Sequence, residues 1–338
     1  MLFEKIMKKM FIAFSKNRAL RYLAVHCHIL HPLSRAFVAG ETLDEAIGVV
    51  KKLNQGGCTA TIDILGESVD SAEKINDVAA EYQELIRRVH DEKLRASVSI
   101  KLSHVGLSIG RTYCDDSMCR IAETAMRYGV PIEIDMEGSE DTENTIEVFK
   151  MLRKKYSVVS FRLALQAYLH RTHERDIPAL AQEGVAIRLI KGAYQESPLI
   201  AYQCMEIIRG VCCIVMKYFV REDIRARGNH LAIGTHDPIL IQHAKQVLSE
   251  HALPKETFEF QMLYGMYVQE QHRLVKEGYL VRVYVPYGTH WYPYFMRRMA
   301  ERPANVWFVA RGVLRGLLDG EIRKRVIKTL KNMICPKP

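Results

Sequence analysis

Arg297 and Arg298 stand side by side at the end of Tyr284-Val285-Pro286-Tyr287-Gly288-Thr289-His290-Trp291-Tyr292-Pro293-Tyr294-Phe295-Met296-Arg297-Arg298. That segment reads as a strand, a glycine-containing turn and the start of a helix. A guanidinium is a planar fork of donors that matches a carboxylate and stays charged at any working pH. Two adjacent guanidinium groups repel each other unless an anion sits between them. Beside Tyr284, Tyr292 and Tyr294 the pair suggests a pocket for a small acid with a compact apolar body. A solvated helix face is the alternative reading.

Other residues of chemical interest close short apolar runs. Lys101 ends Ser97-Val98-Ser99-Ile100-Lys101, and Asp135 ends Ile132-Glu133-Ile134-Asp135. Lys101 is either a partnered structural cation or a functional one. A Lys–Asp pair can orient a substrate carboxylate or act as an acid–base couple. Arg188 and Lys191 precede Gly192-Ala193-Tyr194, where the backbone permits close approach of an anion such as phosphate. Thr235-His236-Asp237 follows a strand and opens a helix, which also favours phosphate; His236 is otherwise a structural histidine. Glu67, Gln166, Gln261 and Tyr284 complete the set. Lys101, Arg188, Lys191, His236, Arg297 and Arg298 together carry more positive charge than one small acid requires. A phosphate-bearing cofactor plus an acidic substrate would account for it. No Gly-x-Ser-x-Gly elbow or histidine pair at metal spacing occurs, so neither a nucleophilic triad nor a metal site is expected.

The elements that must position these residues alternate regularly. Thr42-Leu43-Asp44-Glu45 has the capping-box pattern, and Leu43, Ala46, Ile47, Val50 and Leu53 mark an amphipathic helix that Gly56-Gly57 ends. Strand-like runs follow at 59–65, 96–102, 131–135, 158–166, 185–190, 231–234, 257–262 and 280–285, with helical patterns between them. One helix starts at Pro178, a residue suited to a first turn. Repeated βα units predict a parallel sheet, and this number of them predicts a closed (β/α)8 TIM-type barrel with additional N- and C-terminal helices. An open doubly wound sheet is the alternative, weakened because no Gly-x-Gly-x-x-Gly turn follows the first strand. In a barrel the polar strand ends converge on one rim, where active sites lie. The expected organisation is an N-terminal helical arm at 1–41, a catalytic barrel at 42–311 and a helical tail at 312–338.

Composition agrees with an enzyme. The chain of 338 residues is 48% hydrophobic, 26% charged and 9% aromatic, with a net charge of +9. Its basic residues concentrate in Lys5–Arg21 and Arg311–Lys337, away from any nucleic-acid signature, so no nucleic-acid partner is expected. Eight cysteines lack framework spacing, which points to reduced thiols and a cytoplasmic compartment. The apolar runs of the N-terminus are too short for a signal peptide or membrane span. Phe3, Ile6, Met7, Met10 and Phe14 instead share one side of a basic amphipathic helix, a packing element or a peripheral membrane contact.

The motifs resemble the proline dehydrogenase family, which are flavin-dependent (β/α)8 barrels. The matching pieces are Leu65-Gly66-Glu67, Ser99-Ile100-Lys101-Leu102, Ile134-Asp135-Met136-Glu137, Gln166-Ala167-Tyr168, Arg188 through Tyr194, Gly234-Thr235-His236-Asp237, Phe258 through Met266, and Tyr284 through Glu301. They stand in the family's order over roughly residues 40 to 310. The resemblance implies that Arg297 and Arg298, helped by Lys101, hold the carboxylate of L-proline. It implies that Ala193, Tyr194, Leu263, Tyr284 and Tyr294 shape the ring pocket and that Asp135 orients Lys101. FAD contacts would fall on Gln166, Arg188, Lys191, Gly192, Ala193, Thr235, His236 and Gln261, and Glu67 would gate the site by pairing with the first arginine. Gln195 departs from the large apolar residue often found after Gly-Ala-Tyr. The implied reaction is hydride transfer from proline C5 to flavin N5, giving Δ1-pyrroline-5-carboxylate, with proline preferred over hydroxyproline.

The resemblance further implies a monofunctional bacterial enzyme that passes electrons to a quinone, peripheral to the inner face of the membrane. The terminal segments would be the membrane contact or structural arms. From the residues alone, a Schiff-base lyase using Lys101 or Lys191 and a barrel that binds flavin or another ligand without turnover stay open.

Overall fold

The computed structural model describes residues 34–66 and 69–301. The N-terminal amphipathic pattern, the tail beyond residue 301 and the expected gate Glu67 lie outside the described residues.

Eight strands close into a barrel in simple sequential order. They are β1 (Thr59–Ile64), β2 (Ala96–Ile100), β3 (Ile132–Ile134), β4 (Phe161–Gln166), β5 (Ala186–Ile190), β6 (His230–Gly234), β7 (Phe258–Leu263) and β8 (Leu280–Tyr287). Neighbours are parallel; Asp63 lies opposite Ser99 and Ser99 opposite Glu133. The helices are α1 (Leu43–Gln55), α2 (Ala72–Asp91), α3 (Arg111–Tyr128), α4 (Thr142–Lys155), α5 (Ile177–Ala181), α6 (Met205–Phe219), α7 (Glu222–Arg225), α8 (Pro238–Glu250), α9 (Val268–Lys276) and α10 (Trp291–Glu301). This is the expected (β/α)8 architecture.

Local sequence explains the elements. The capping box forms: Glu45 N–H donates to Thr42 Oγ1 at 3.3 Å, and Thr42 N–H donates to Glu45 Oε2 at 3.2 Å. In α2, Ile75, Val78, Ala79, Tyr82, Leu85, Ile86 and Val89 recur at helical spacing and are all buried. Pro178 lies in the first turn of α5. β4 begins three residues later than the apolar run suggested. A turn intervenes, in which Val159 N–H donates to the Tyr156 carbonyl at 3.0 Å, and Val158 points outward with 77% exposure. An apolar residue in a turn imitates a strand start.

The chain divides into two compact units, Ile47–Val285 and a smaller one of Met1–Ala46 with Pro286–Pro338. Within the smaller unit, Ala39 N–H donates to the Pro286 carbonyl at 2.8 Å and Gly288 N–H to the Gly40 carbonyl at 3.0 Å. The indole N–H of Trp291 reaches Glu41 Oε1 at 2.9 Å, and Phe37 meets Phe295 with ring centroids 6.2 Å apart. These contacts fix α10, which carries the arginine pair.

Candidate active site

The interior of the larger unit is lined with polar side chains at two levels. Because side chains alternate in a strand, residues two apart share a face. Thr61 and Asp63 on β1, Glu133 and Asp135 on or just past β3, Glu259 and Gln261 on β7, and Arg282 and Tyr284 on β8 follow that period. The later residue of each couple is nearer the carboxyl end of its strand, the face that holds active sites in barrels.

At the upper level, Lys101 directly follows β2. Its ammonium lies 2.5 Å from Asp63 Oδ1 and 3.3 Å from Asp135 Oδ2. It also donates to the Tyr284 hydroxyl at 3.2 Å, and that hydroxyl donates to Asp135 Oδ2 at 2.7 Å. Arg188 on β5 donates to Asp135 Oδ1 and, at 3.2 Å, to Glu133 Oε2, with its guanidinium 5.4 Å from the Tyr284 ring centroid. Ser99 Oγ donates to Asp135 Oδ1 at 2.8 Å. Lys101, Asp135, Arg188 and Tyr284 are thus brought together as one cluster.

Electrostatics fix the charge states. Burial opposes the charged form of Lys101, but Asp63 and Asp135 outweigh it and hold the ammonium protonated well above its ordinary range. Asp135 is also opposed by burial, yet Arg188 and Lys101 keep its carboxyl below the usual range. Burial, then the neighbouring Asp135, pushes the Tyr284 phenol well above its ordinary value, so it serves as a neutral donor. Burial raises Asp63 against the pull of Lys101.

The residues expected at a cofactor lie along the ends of β4 to β7. Gln166 is fully buried; its amide donates to the Glu137 carbonyl at 2.8 Å and its Oε1 accepts the Ala193 N–H at 3.2 Å. Lys191 pairs with Asp237 at 2.5 Å, and Arg209 reaches the same carboxylate oxygen at 2.8 Å. Asp237 caps α8 by accepting the Ile239 N–H at 3.0 Å, and Thr235 Oγ1 accepts the Asp237 N–H at 3.0 Å. His236 accepts the Leu263 N–H at its Nε2, 3.0 Å away, which leaves the ring proton on Nδ1. Gln261 is turned inward, donating to Glu259 at 2.8 Å. Tyr194 is exposed.

These residues fit a flavin nucleotide on two observations. The Tyr168 hydroxyl is buried without a hydrogen-bond partner, next to the β5 rim. Gly192, at φ +124°, lies flat against the Tyr168 ring, where a Cβ would come within 2.3 Å of it. A partly exposed lysine, Lys191, and a second cation, Arg209, supply donors of the kind a pyrophosphate needs.

In the smaller unit, Arg298 stacks its guanidinium 5.1 Å from the Tyr294 ring centroid, and Arg297 is exposed.

Sequence reasoning missed Asp63, Glu133, Glu259, Arg162 and Arg282. The available signal was the two-residue alternation of polar side chains within otherwise apolar strands. Attention to the last polar residue of each run alone overlooks the level beneath.

A family model described as proline dehydrogenase matches residues 46–211 and 214–311. Proline dehydrogenase 1 of Bacillus subtilis (strain 168) is 37% identical over 310 residues, covering 92% of this chain and 100% of that protein. Proline dehydrogenase of Deinococcus radiodurans is 36% identical over 288 residues, covering 84% and 91%. Among solved structures, proline utilization A (PutA) from Bdellovibrio bacteriovorus superposes with a TM-score of 0.74 at 24% identity, over 87% of this chain and 38% of that one. The last likeness speaks for the barrel alone.

Proposed function

The chain belongs to the proline dehydrogenase family, and we infer that it oxidises L-proline to Δ1-pyrroline-5-carboxylate. The observation that carries the site is the Lys101–Asp135–Tyr284 cluster with Arg188 at the carboxyl ends of the strands. A protonated lysine there offers a donor to a carboxylate. The Tyr284 ring supplies an apolar wall beside it.

The proposed roles follow from side-chain chemistry. Lys101 binds one carboxylate oxygen of proline, and Arg297 with Arg298 supplies the bidentate clamp. Support for the arginine pair is chemical: adjacent guanidinium groups on α10 favour an anion. Ala193, Tyr194, Leu263, Tyr284 and Tyr294 would bound the ring, and Glu67 would gate the first arginine. FAD is the proposed cofactor, held by Gln166, Arg188, Lys191, Gly192, Ala193, Thr235, His236 and Gln261; when bound it supplies the acceptor for the hydride from proline C5. The protein's part is largely positioning. The amine must be neutral before the C–H bond breaks, because a protonated nitrogen has no electron pair to form the imine.

The electron acceptor proposed beyond the flavin is a quinone. Among the described residues no helix is long and apolar enough to cross a membrane. The basic stretches Lys5–Arg21 and Arg311–Lys337 would suit an anionic membrane surface that brings the quinone near.

The deciding experiment is anaerobic titration of purified, flavin-loaded protein with L-proline. Loss of the yellow flavin absorbance with formation of a cyclic imine is expected. A flavin spectrum unchanged by proline would remove this reading and leave a binding barrel.

A further inference from the structure

We propose that Asp63 is a positioning residue of the site, setting the direction in which Lys101 meets the substrate carboxylate; this rests on the role of Lys101 given above. Asp63 projects from the inner face of β1, in register with Ser99 two residues before Lys101, with only 1% of its side chain exposed. Its Oδ1 is the nearest carboxylate oxygen to the ammonium, at 2.5 Å against 3.3 Å for Asp135. Asp135 is also heavily shared. Its Oδ1 accepts from Arg188 and Ser99, and its Oδ2 accepts from Tyr284. Lys101 is the cation with which Asp63 pairs among the described residues.

An ammonium carries three N–H bonds in tetrahedral arrangement. One is taken by Asp63 from below and a second by the Tyr284 hydroxyl on β8, beside Asp135. Fixing two of the three directions fixes the third. Asp135 Oδ2, 3.3 Å from the ammonium, is the remaining carboxylate oxygen near it, already taken by the Tyr284 hydroxyl, and a substrate carboxylate would compete with it for the third N–H. Lys101 is also the more exposed partner, at 20% of its side chain. Without Asp63 the ammonium would swing toward Asp135, and its remaining N–H would lose its bearing. Burial opposes the charge, but Asp135, Glu137 and the Tyr82 and Tyr284 phenols still face the ammonium and favour it.

The test is a cycle of Asp63→Asn and Lys101→Met in the flavin-loaded enzyme. Asp63→Asn alone should raise KM for L-proline by about tenfold with kcat within about threefold, because carboxylate binding is misdirected while the chemistry is left intact. In the Lys101→Met background the same change should alter KM by less than about twofold, since the group it acts through is gone. Stability should reverse sign: Asp63→Asn lowers Tm when Lys101 is present and raises it in Lys101→Met, where Asp63 would be a lone buried charge. Should the single variant not fold, the Tm comparison within Lys101→Met still decides. A wild-type KM in Asp63→Asn, a full multiplicative loss on top of Lys101→Met, or a fall in Tm in both backgrounds would overturn the proposal. Wild-type protein unreduced by proline would instead overturn the proline reading, leaving the Tm arm intact as a test of the Asp63–Lys101 link.

Discussion

The barrel holds charge at two levels, and they differ in what remains to be done there. At the lower level Glu133 Oε1 accepts from Thr61 and Ser97 at 2.9 and 2.8 Å and from Arg162 at 3.3 Å. Glu259 Oε1 accepts from Arg162 at 2.6 Å and Arg282 at 2.9 Å. The Glu133 and Glu259 side chains are 3% and 6% exposed, and arginines pair with both carboxylates. At the upper level the same kinds of residue leave Lys101 partly open to solvent, with 20% of its side chain exposed. Composition does not distinguish scaffold from site. The distinction lies in exposure: the lower carboxylates are almost sealed, whereas the Lys101 side chain is 20% exposed. Arg188 bridges both levels, bonded to Glu133 below and Asp135 above, so the lower level fixes the floor on which the upper one acts.

The comparison breaks most visibly through Glu133. Replacing it with Ala leaves Arg162, Arg188 and Arg282 short of a buried counter-charge, and should cost about 3–5 kcal/mol in denaturant unfolding. A loss below about 1 kcal/mol would mean that the lower level is not a scaffold. The clamp should respond in the other currency. Arg297→Met and Arg298→Met should each raise KM for proline at least about tenfold, since a charged hydrogen bond is worth about 1.5–3 kcal/mol, with little change in Tm. Unchanged KM in both variants would sink that assignment.

Acid should act on the lower level too. The arginines around Glu133 overcome its burial and hold its carboxyl well below the ordinary range. A carboxyl depressed in the folded state contributes stability above its unfolded pKa, about 4.3, and that stability is lost as pH falls toward the folded value. Glu259 and Asp135 act in the same direction, while Asp63, raised by burial, works against them. Tm measured below pH about 4.3 should therefore fall less steeply in Glu133→Gln than in the wild type; parallel slopes would contradict the arginine cage. The smallest effect concerns the wall. The enzyme should turn over proline in preference to 4-hydroxyproline, and Tyr284→Phe, which drops one hydrogen bond to Asp135, should cost about 1 kcal/mol in kcat/KM. Equal turnover of both substrates would remove Tyr284 from the pocket.

Much of this was legible without coordinates. The capping box at Thr42–Glu45, the Gly56-Gly57 stop and the recurring strand-like runs gave the βα repeat, because propensity, capping and periodicity are local. Lys101, Asp135, Arg188 and Tyr284 were readable as strand-end residues, and the barrel joins them. The pairing of Asp63 with Lys101 was not readable. Nothing at position 63 distinguishes an inward aspartate from one in a turn until strand register sets its level.

The sequence by itself determined the repeating unit, the family and the residue types gathered at the strand ends, since each depends on neighbours within a few positions or on motif order. Only the closed barrel decided which charges meet. Its register brings β1, β2, β3, β5 and β8 within hydrogen-bond reach, and thereby divides one population of buried ions into a floor of arginines around Glu133 and Glu259 and a site around the partly exposed Lys101.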